Sequence, residues 1–374
     1  MPSPAVALVG PVPPWRSGIA DQTVRLARAL KRVGAPPVVV TFRRMYPAFL
    51  FPGANDRGEG GFPSDLDVRP LLDGFSPLSF GRAARALAVE GVDVVFVPWW
   101  TVFFAPHDAL FLKALHRARP GAVRVLLCHN VSDHEGGAAK RAIAHAVFRR
   151  SDRLVVQNRS AAEKLAPIVA PRPVLFQPHP SEAEAPPVPR DAARSRLGLP
   201  LDAPIFLFTG ILRPYKGWDL LLEAFPRVLE AVPNALLVFA GEPWGDASAA
   251  FETARANVRA ELRYLSAEER GLYLDAASAV VCPYRHATGS GIAADALAHG
   301  RPVIGTRVDG LTDVLSDGVD ALLVSEGDVD SLADSMIRFV KDDLEPVLSR
   351  GAAASSARFS PDEHARALLR FARS

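Results

Sequence analysis

Residues 209–219 read Thr-Gly-Ile-Leu-Arg-Pro-Tyr-Lys-Gly-Trp-Asp. An apolar run ends there and Gly210 turns the chain. Arg213 and Lys216 follow three apart, and a helical pattern opens at Trp218. A diphosphate needs cations at fixed positions: a guanidinium grips two oxygens at once and an ammonium supplies a compact charge. A glycine lets the backbone approach closely. A second segment, Ala287-Thr288-Gly289-Ser290-Gly291, follows the apolar run 279–282 and opens a helix over 292–299. Small residues before a helix leave its first N–H groups and its positive dipole end open to phosphate. Asp295, one turn inside that helix, is placed to accept hydrogen bonds from ribose hydroxyls. Taken singly, charges beside a turn are ordinary surface and a first-turn acid is an ordinary dipole partner. Taken together, the two segments predict a phosphate-binding site in the second half of the chain.

The first half carries other candidates. His129 ends the apolar run 123–128, and His179 stands in Gln-Pro-His-Pro at 177–180. Two long loops are expected, over 43–65 and 98–107. The first carries Arg44 and Tyr46. The second carries Trp99 and Trp100, and Trp15-Arg16 stands in a loop after the first strand. Aromatic faces can stack on sugar rings and arginines can hold an anionic group, so these loops are read as an acceptor surface; core packing explains the tryptophans equally well.

The elements that must position these residues follow from the pattern of apolar runs. Strand-length runs at 5–9, 37–42, 92–97, 123–128 and 154–157 alternate with helical patterns such as 20–33 and 81–88. Buried parallel strands read as continuous apolar runs, so the first half is a doubly wound sheet. Residues 181–190, with three prolines among small and acidic residues, form a joint. The pattern restarts with strands at 205–209, 235–240, 279–282, 302–305 and 321–324. Helices are expected at 218–231, 267–277, 292–299 and 328–340, and an amphipathic one at 361–374. The fold class is α/β, with two Rossmann-like domains facing each other across a cleft, and ligands at the C-terminal ends of the strands. The expected domains are 1–185 on the acceptor side and 186–358 on the nucleotide side, with a C-terminal helix over 359–374 packing back on the first.

Composition narrows the classes. Apolar residues make up 49% of 374 and charged residues 22%, which fits a well-packed soluble protein of two domains. No run is apolar enough for a transmembrane helix, and the start lacks the basic and apolar regions of a signal peptide. A cytoplasmic location is expected, with peripheral contact at the inner face of the membrane allowed. Cys128 and Cys282 read as two buried free thiols, and no Cys/His spacing suits a metal. The net charge of +2 hides an asymmetry: residues 1–180 hold 23 Lys+Arg against 13 Asp+Glu, and the remainder 20 against 28. A basic half can meet an anionic acceptor or membrane, or simply the acidic half. Nucleic acid is not expected, since the basic residues are scattered rather than interleaved with aromatics. No Gly-x-Gly-x-x-Gly follows the first strand, which argues against a nicotinamide enzyme.

Residues 205–340 resemble the C-terminal domain of the family 4 retaining glycosyltransferases, which have the GT-B fold. The resemblance rests on 208–219, Ala240-Gly241-Glu242, 283–299, and 301–306 with Asp309-Gly310-Leu311. The first half resembles the same family through the glycine-bearing loop 10–20 and the His129-Asn130 step. The resemblance implies a retaining transferase moving a sugar from a UDP- or GDP-sugar to a sugar, lipid-linked or other hydroxyl acceptor, in envelope polysaccharide or glycoconjugate synthesis. It implies that Arg213 and Lys216 bind the diphosphate with Gly210, Thr288, Gly289, Ser290 and Gly291, that Gly18 lies close to it, and that His129 contacts the donor sugar. Asp295 stands where the family's ribose-binding glutamate would be, and Ala287 replaces its sugar-reading glutamate. No cofactor or metal is implied, and no Asp-x-Asp triplet stands at a strand end. A nucleotide-sugar-binding protein without transfer activity and an epimerase on the same fold are the other readings.

Overall fold

The computed structural model describes residues 4–45, 55–58, 60–130, 138–183, 186–251 and 257–374, without the side chains of 245, 246 and 249. It divides into two compact units: Met1–Pro178 with Pro361–Ser374, and His179–Ser360.

The first unit runs β1 (Val6–Val9), α1 (Gly18–Arg32), β2 (Pro37–Arg44), β3 (Asp67–Asp73), α2 (Pro77–Val89), β4 (Val94–Trp99), α3 (Ala105–Ala118), β5 (Val123–Cys128), α4 (Ala138–Phe148), β6 (Arg153–Val156), α5 (Arg159–Val169) and β7 (Val174–Phe176). Its sheet has the order β3-β2-β1-β4-β5-β6-β7, and every pair is parallel. One face carries Phe42, Phe80, Phe104, Phe111 and Phe148 with helices α2 to α5. The other is covered by α1 and by α13 (Pro361–Arg373), whose Ala365, Leu368 and Ala372 join Leu26 and Leu30 in that core. Ser17 starts α1 by accepting from the Ala20 N–H at 3.0 Å. Arg124 is buried on β5 and donates to Asp152 from its backbone N and its Nε, both at 2.8 Å.

The second unit runs α6 (Arg190–Leu197), β8 (Ile205–Thr209), α7 (Trp218–Ala231), β9 (Leu236–Ala240), β10 (Val258–Glu261), α8 (Ala267–Ala276), β11 (Ala279–Cys282), α9 (Gly291–Ala298), β12 (Val303–Thr306), α10 (Asp309–Thr312), β13 (Ala321–Val324), α11 (Val329–Lys341) and α12 (Glu345–Ser356). Its parallel sheet has the order β10-β9-β8-β11-β12-β13. Alternating strands and helices thus give two doubly wound sheets, as the apolar pattern predicts. Among the described residues no helix is long and apolar enough to cross a membrane.

Two expected loops are shorter than the sequence suggests. Arg43 and Arg44 continue β2, where Arg44 pairs in register with Asp73 of β3. Trp99 is the last residue of β4, paired with Cys128, and residues 102–104 form a 3-10 turn that leads into α3. β3 escapes an apolar search because it is an edge strand: it carries Asp67, Arg69 and Pro70, and proline is tolerated where no further strand needs its N–H.

The Trp99 ring meets Phe148 edge-on, with centroids 5.3 Å apart and planes at 82°. Both side chains are fully buried. Phe148→Ala should cost about 3–5 kcal/mol of stability for this unit. Urea unfolding followed by tryptophan fluorescence measures it, and a loss under about 1 kcal/mol would mean that the strand end repacks around the cavity.

Candidate functional site

In each unit the strand order reverses beside its first strand: β1 lies between β2 and β4, and β8 lies between β9 and β11. Loops leaving neighbouring strands in opposite directions open a crevice there, which is where ligands bind in such sheets. In the second unit the loops in question are 210–217 and 283–290, the two segments singled out by residue type.

Close backbone approach joins these loops. Gly217 has φ +68°, and a Cβ on it would overlap the Pro283 carbonyl. A Cβ on Gly241 would overlap the Gly210 carbonyl. A Cβ on Gly310 would stand 2.6 Å from the Gly289 N and 2.7 Å from the Ala287 O, so α10 closes directly on the 287–290 loop. Arg285 fastens the two loops: its N–H donates to the Tyr215 carbonyl at 2.8 Å, and its guanidinium binds both oxygens of Asp219, at 2.8 and 2.6 Å.

The cations take distinct positions. The Lys216 Nζ lies over Gly210, 3.1 Å from where a Cβ would be, and 5.9 Å from the centre of the Tyr284 ring. Burial pulls its pKa down to about 8, and the positive charges of Arg213 and Arg270 add to the shift against the opposing effect of Cys282. Arg213 is exposed, with its guanidinium 4.6 Å over the Trp244 ring. Ser290 caps α9, accepting from the Ala293 N–H at 3.1 Å, and its hydroxyl lies 3.4 Å from the buried Tyr284 hydroxyl. Thr288, Gly289 and Gly291 sit beside it in the same loop and at the helix start. Two cations and a helix N-terminus can together hold a polyanion and stabilise negative charge on a leaving group.

Asp295 lies on α9, one turn inside its start. It is 4% exposed, and Arg270 of α8 stands beside it, Nε to Oδ2 3.6 Å. The carboxylate is thus buried beside a cation. Arg270 itself was not legible: Glu268-Glu269-Arg270 reads as a solvated helix start, with Ser266 and Glu269 forming a capping box.

In the first unit His129 follows β5, its N–H donating to the Trp99 carbonyl at 2.9 Å. The Gln157 Nε2 donates to its Nδ1 at 2.6 Å. With the amide in this orientation its nitrogen can only donate, which corresponds to the tautomer with the ring proton on Nε2. Burial pulls the His129 pKa down to about 4, with a further push from His364 on α13, whose own pKa burial lowers to about 4. A Cβ on Gly18 would meet nothing within 4 Å, so packing alone does not require glycine there.

The expected acceptor surface is altered. Trp99 is 2% exposed and Trp15 3%. Trp15 donates its indole N–H to the Phe42 carbonyl at 3.1 Å, and the Arg57 guanidinium covers its ring at 4.2 Å. Neither ring offers a face for stacking: β4 runs one turn of pleat further than its apolar run, which turns Trp99 into the core. Trp100 is half-buried, edge-on to Phe42 at 6.4 Å, and lines a small crevice with Thr101 and Asn130. Arg16 is half-buried, its N–H donating to the Asp56 carbonyl at 2.9 Å. Arg44 is exposed and ion-paired to Asp73 at 2.5 Å. Tyr46 lies outside the described residues. Cys128 and Cys282 are buried free thiols, and among the described residues no three His, Cys, Asp or Glu gather in a metal-binding group.

The comparisons with known proteins agree with this geometry. Residues 203–342 match the model of the family described as Glycosyl transferases group 1. The chain is 34% identical over 241 residues to a D-inositol 3-phosphate glycosyltransferase of Xylanimonas cellulosilytica, covering 60% of this chain and 57% of that one. A relative of the same description from Mycobacterium avium is 32% identical over 236 residues, covering 60% and 55%. The chain thus spans just over half the length of these curated relatives. Among solved structures, sucrose-phosphate synthase from Thermosynechococcus elongatus superposes with a TM-score of 0.77 at 17% identity, covering 99% of this chain and 98% of that one. Anabaena HepE in complex with UDP-glucose gives 0.73 at 14%, covering 98% and 99%. These share the two-domain GT-B fold.

The Gln157 contact has a measurable consequence. The His129 ring should carry its proton on Nε2 and stay neutral from about pH 5 to 8, where a free imidazole titrates. Gln157→Glu should move the proton to Nδ1 and raise the pKa toward neutrality, because a carboxylate favours the imidazolium. Nitrogen-15 NMR of labelled histidine reads both, and a wild-type ring protonated on Nδ1 would contradict the assignment.

Proposed function

We infer, from a chain whose residues 203–342 match the model of the glycosyl transferases group 1 family, that this protein transfers a sugar from a nucleoside-diphosphate donor to an acceptor hydroxyl. The observation that carries the reading is the meeting of Arg213, Lys216 and the α9 N-terminus at the point where the second sheet reverses its strand order. The donor diphosphate lies across these groups, with Gly210 and the 288–291 segment giving its oxygens close access. The relatives described as D-inositol 3-phosphate glycosyltransferases and the solved complex of HepE with UDP-glucose support a nucleotide-sugar donor and an anionic polyol as the acceptor class.

In the proposed step the bond between the sugar C1 and the diphosphate oxygen breaks and a bond from C1 to the acceptor oxygen forms on the same face. The acceptor proton ends on the departing phosphate. No protein nucleophile takes part, so catalysis comes from orientation and from charge meeting the leaving group. His129, with its proton on Nε2, donates to a donor-sugar oxygen. Gly18 leaves room for the diphosphate. Arg16 and Arg44 of the first unit, with Trp100 beside them in sequence role, serve the acceptor; Trp15 and Trp99 hold the strand ends from which those loops leave. The net positive charge of that half supports an anionic acceptor and a peripheral contact with an anionic membrane. No metal is required in this reading, so transfer persists in a chelator; loss in EDTA with rescue by Mg²⁺ or Mn²⁺ would contradict it.

Ala287 supports a second reading. The resemblance places a sugar-reading carboxylate at this position, and here a methyl group stands there, so a chain that binds nucleotide sugars without transferring them is the alternative. Turnover across a donor and acceptor panel separates the two.

Lys216→Ala and Arg213→Ala should each raise the transfer barrier by about 2–4 kcal/mol, as lost leaving-group donors do, with melting temperatures kept. Near-native turnover in both variants would sink the assignment. The Lys216 pKa near 8 gives an independent check. Its charge is present below that pH and lost above it, and a bound diphosphate raises the pKa again. Binding of UDP or GDP at about pH 8.5, where the phosphates are fully ionised, should take up a proton that Lys216→Met does not. Titration calorimetry in two buffers of different ionisation enthalpy measures it; equal heats in both buffers would count against Lys216 as the contact.

A further inference from the structure

Helices α2 and α3 pack directly against each other on one face of the first sheet. Along α2, Leu78, Arg82, Arg85 and Val89 are all exposed, and their spacing of i, i+4, i+7 and i+11 puts them in one stripe. Along α3, Pro106, Leu110, Lys113 and Arg117 repeat that spacing. Between the helices runs a groove of about 360 Å³, floored by Gly81, Leu110 and Ala114 and rimmed by Arg85, Lys113 and Arg117.

Two features set this face apart. Its cations have no carboxylates: Arg82, Arg85, Lys113 and Arg117 make no ion pair or hydrogen bond among the described residues. Several arginines elsewhere in the unit are paired with carboxylates, as in Arg28–Asp65, Arg32–Asp362, Arg69–Asp67, Arg119–Asp93 and Arg124–Asp152. The acid of α3, Asp108, is buried at 4% exposure, and Glu90, just past α2, pairs with Arg69. Second, the stripe ends in bare aliphatic tips, with Leu78 67% and Val89 88% exposed.

We propose that the α2–α3 face docks on an anionic lipid bilayer, with Arg82, Arg85, Lys113 and Arg117 at the phosphate level and Leu78 and Val89 entering the acyl boundary. This rests on, and sharpens, the peripheral contact in the proposed function. Long cationic stems that lie along apolar surface with their heads among phosphates, beside single aliphatic tips, are what a headgroup layer accommodates. A protein partner would meet a groove with no aromatic side chain in its lining and cations along its rim, whereas protein interfaces draw on aromatic anchors. Each cation near an anionic surface adds to the attraction, and the attraction is screened by salt.

The test uses the full chain in sedimentation with vesicles of phosphatidylcholine alone and of phosphatidylcholine with about one quarter phosphatidylglycerol. Binding is expected to the anionic vesicles only, and to fall as ionic strength rises from about 0.1 to about 1 M, which shortens the screening length from about 10 to about 3 Å. Arg85→Glu/Arg117→Glu should lower partitioning at least about tenfold. Arg338→Glu/Lys341→Glu, on α11, should bind like the wild type, and melting curves confirm that both variants fold. Equal binding to neutral vesicles overturns the role of the cations. Anionic binding that survives in the first variant overturns the surface while leaving the membrane contact standing. A wild-type chain that ignores both kinds of vesicle overturns the membrane contact and the surface together.

Discussion

Backbone contact without side chains is the constraint on which the crevice of the second unit depends. The turn after β8 can lie against the strand end after β11 only because Gly217 puts nothing between itself and the Pro283 carbonyl, and Gly241 nothing between β9 and the Gly210 carbonyl. That contact lets the short 210–217 turn carry Lys216 back over Gly210, into surroundings dry enough to move its pKa to about 8. The ammonium held there feels the positive charges of Arg213 and of Arg270, the latter beside the Asp295 carboxylate, and like charges near one another are less unfavourable once an anion joins them. A side chain at either glycine would push the two loops apart and undo that geometry.

What could be read from the sequence was whatever chemistry and periodicity write into consecutive residues. The Arg213–Lys216 turn and the 287–291 helix entry are contiguous, so residue type and spacing reveal them. The central strands are continuous apolar runs because both their faces are covered, and they too were plain. Edge strands β3 and β10 were not, since solvent on one side admits Arg69 and Pro70 in one and Arg259 and Glu261 in the other. Helix α12, with Gly351 and a run of alanines and serines, has little amphipathic contrast; its glycine instead permits a backbone approach to Val319.

Partners made by the fold were the least legible. Gln157 reaches His129 from the next strand, and Arg270 reaches Asp295 from a helix that looks like ordinary surface. The tryptophans show the converse: paired rings after a strand suggest a platform, but one further step of pleat decides that Trp99 faces Phe148 and leaves Trp100 at the edge. A one-residue shift along a strand exchanges faces, so the identity of an aromatic cannot by itself say whether it is surface or core.

The first unit is discontinuous in sequence, because α13 fills its core from the far side of the second unit. During synthesis, residues 179–360 emerge and can close their own sheet while residues 4–178 still lack Ala365, Leu368 and Ala372 on one face. Domains generally fold as units as they leave the ribosome, with the N-terminal one first. Here the unit made first is the one finished last: α1 already lies on that face, but the part that Ala365, Leu368 and Ala372 fill stays open until the intervening unit has been translated.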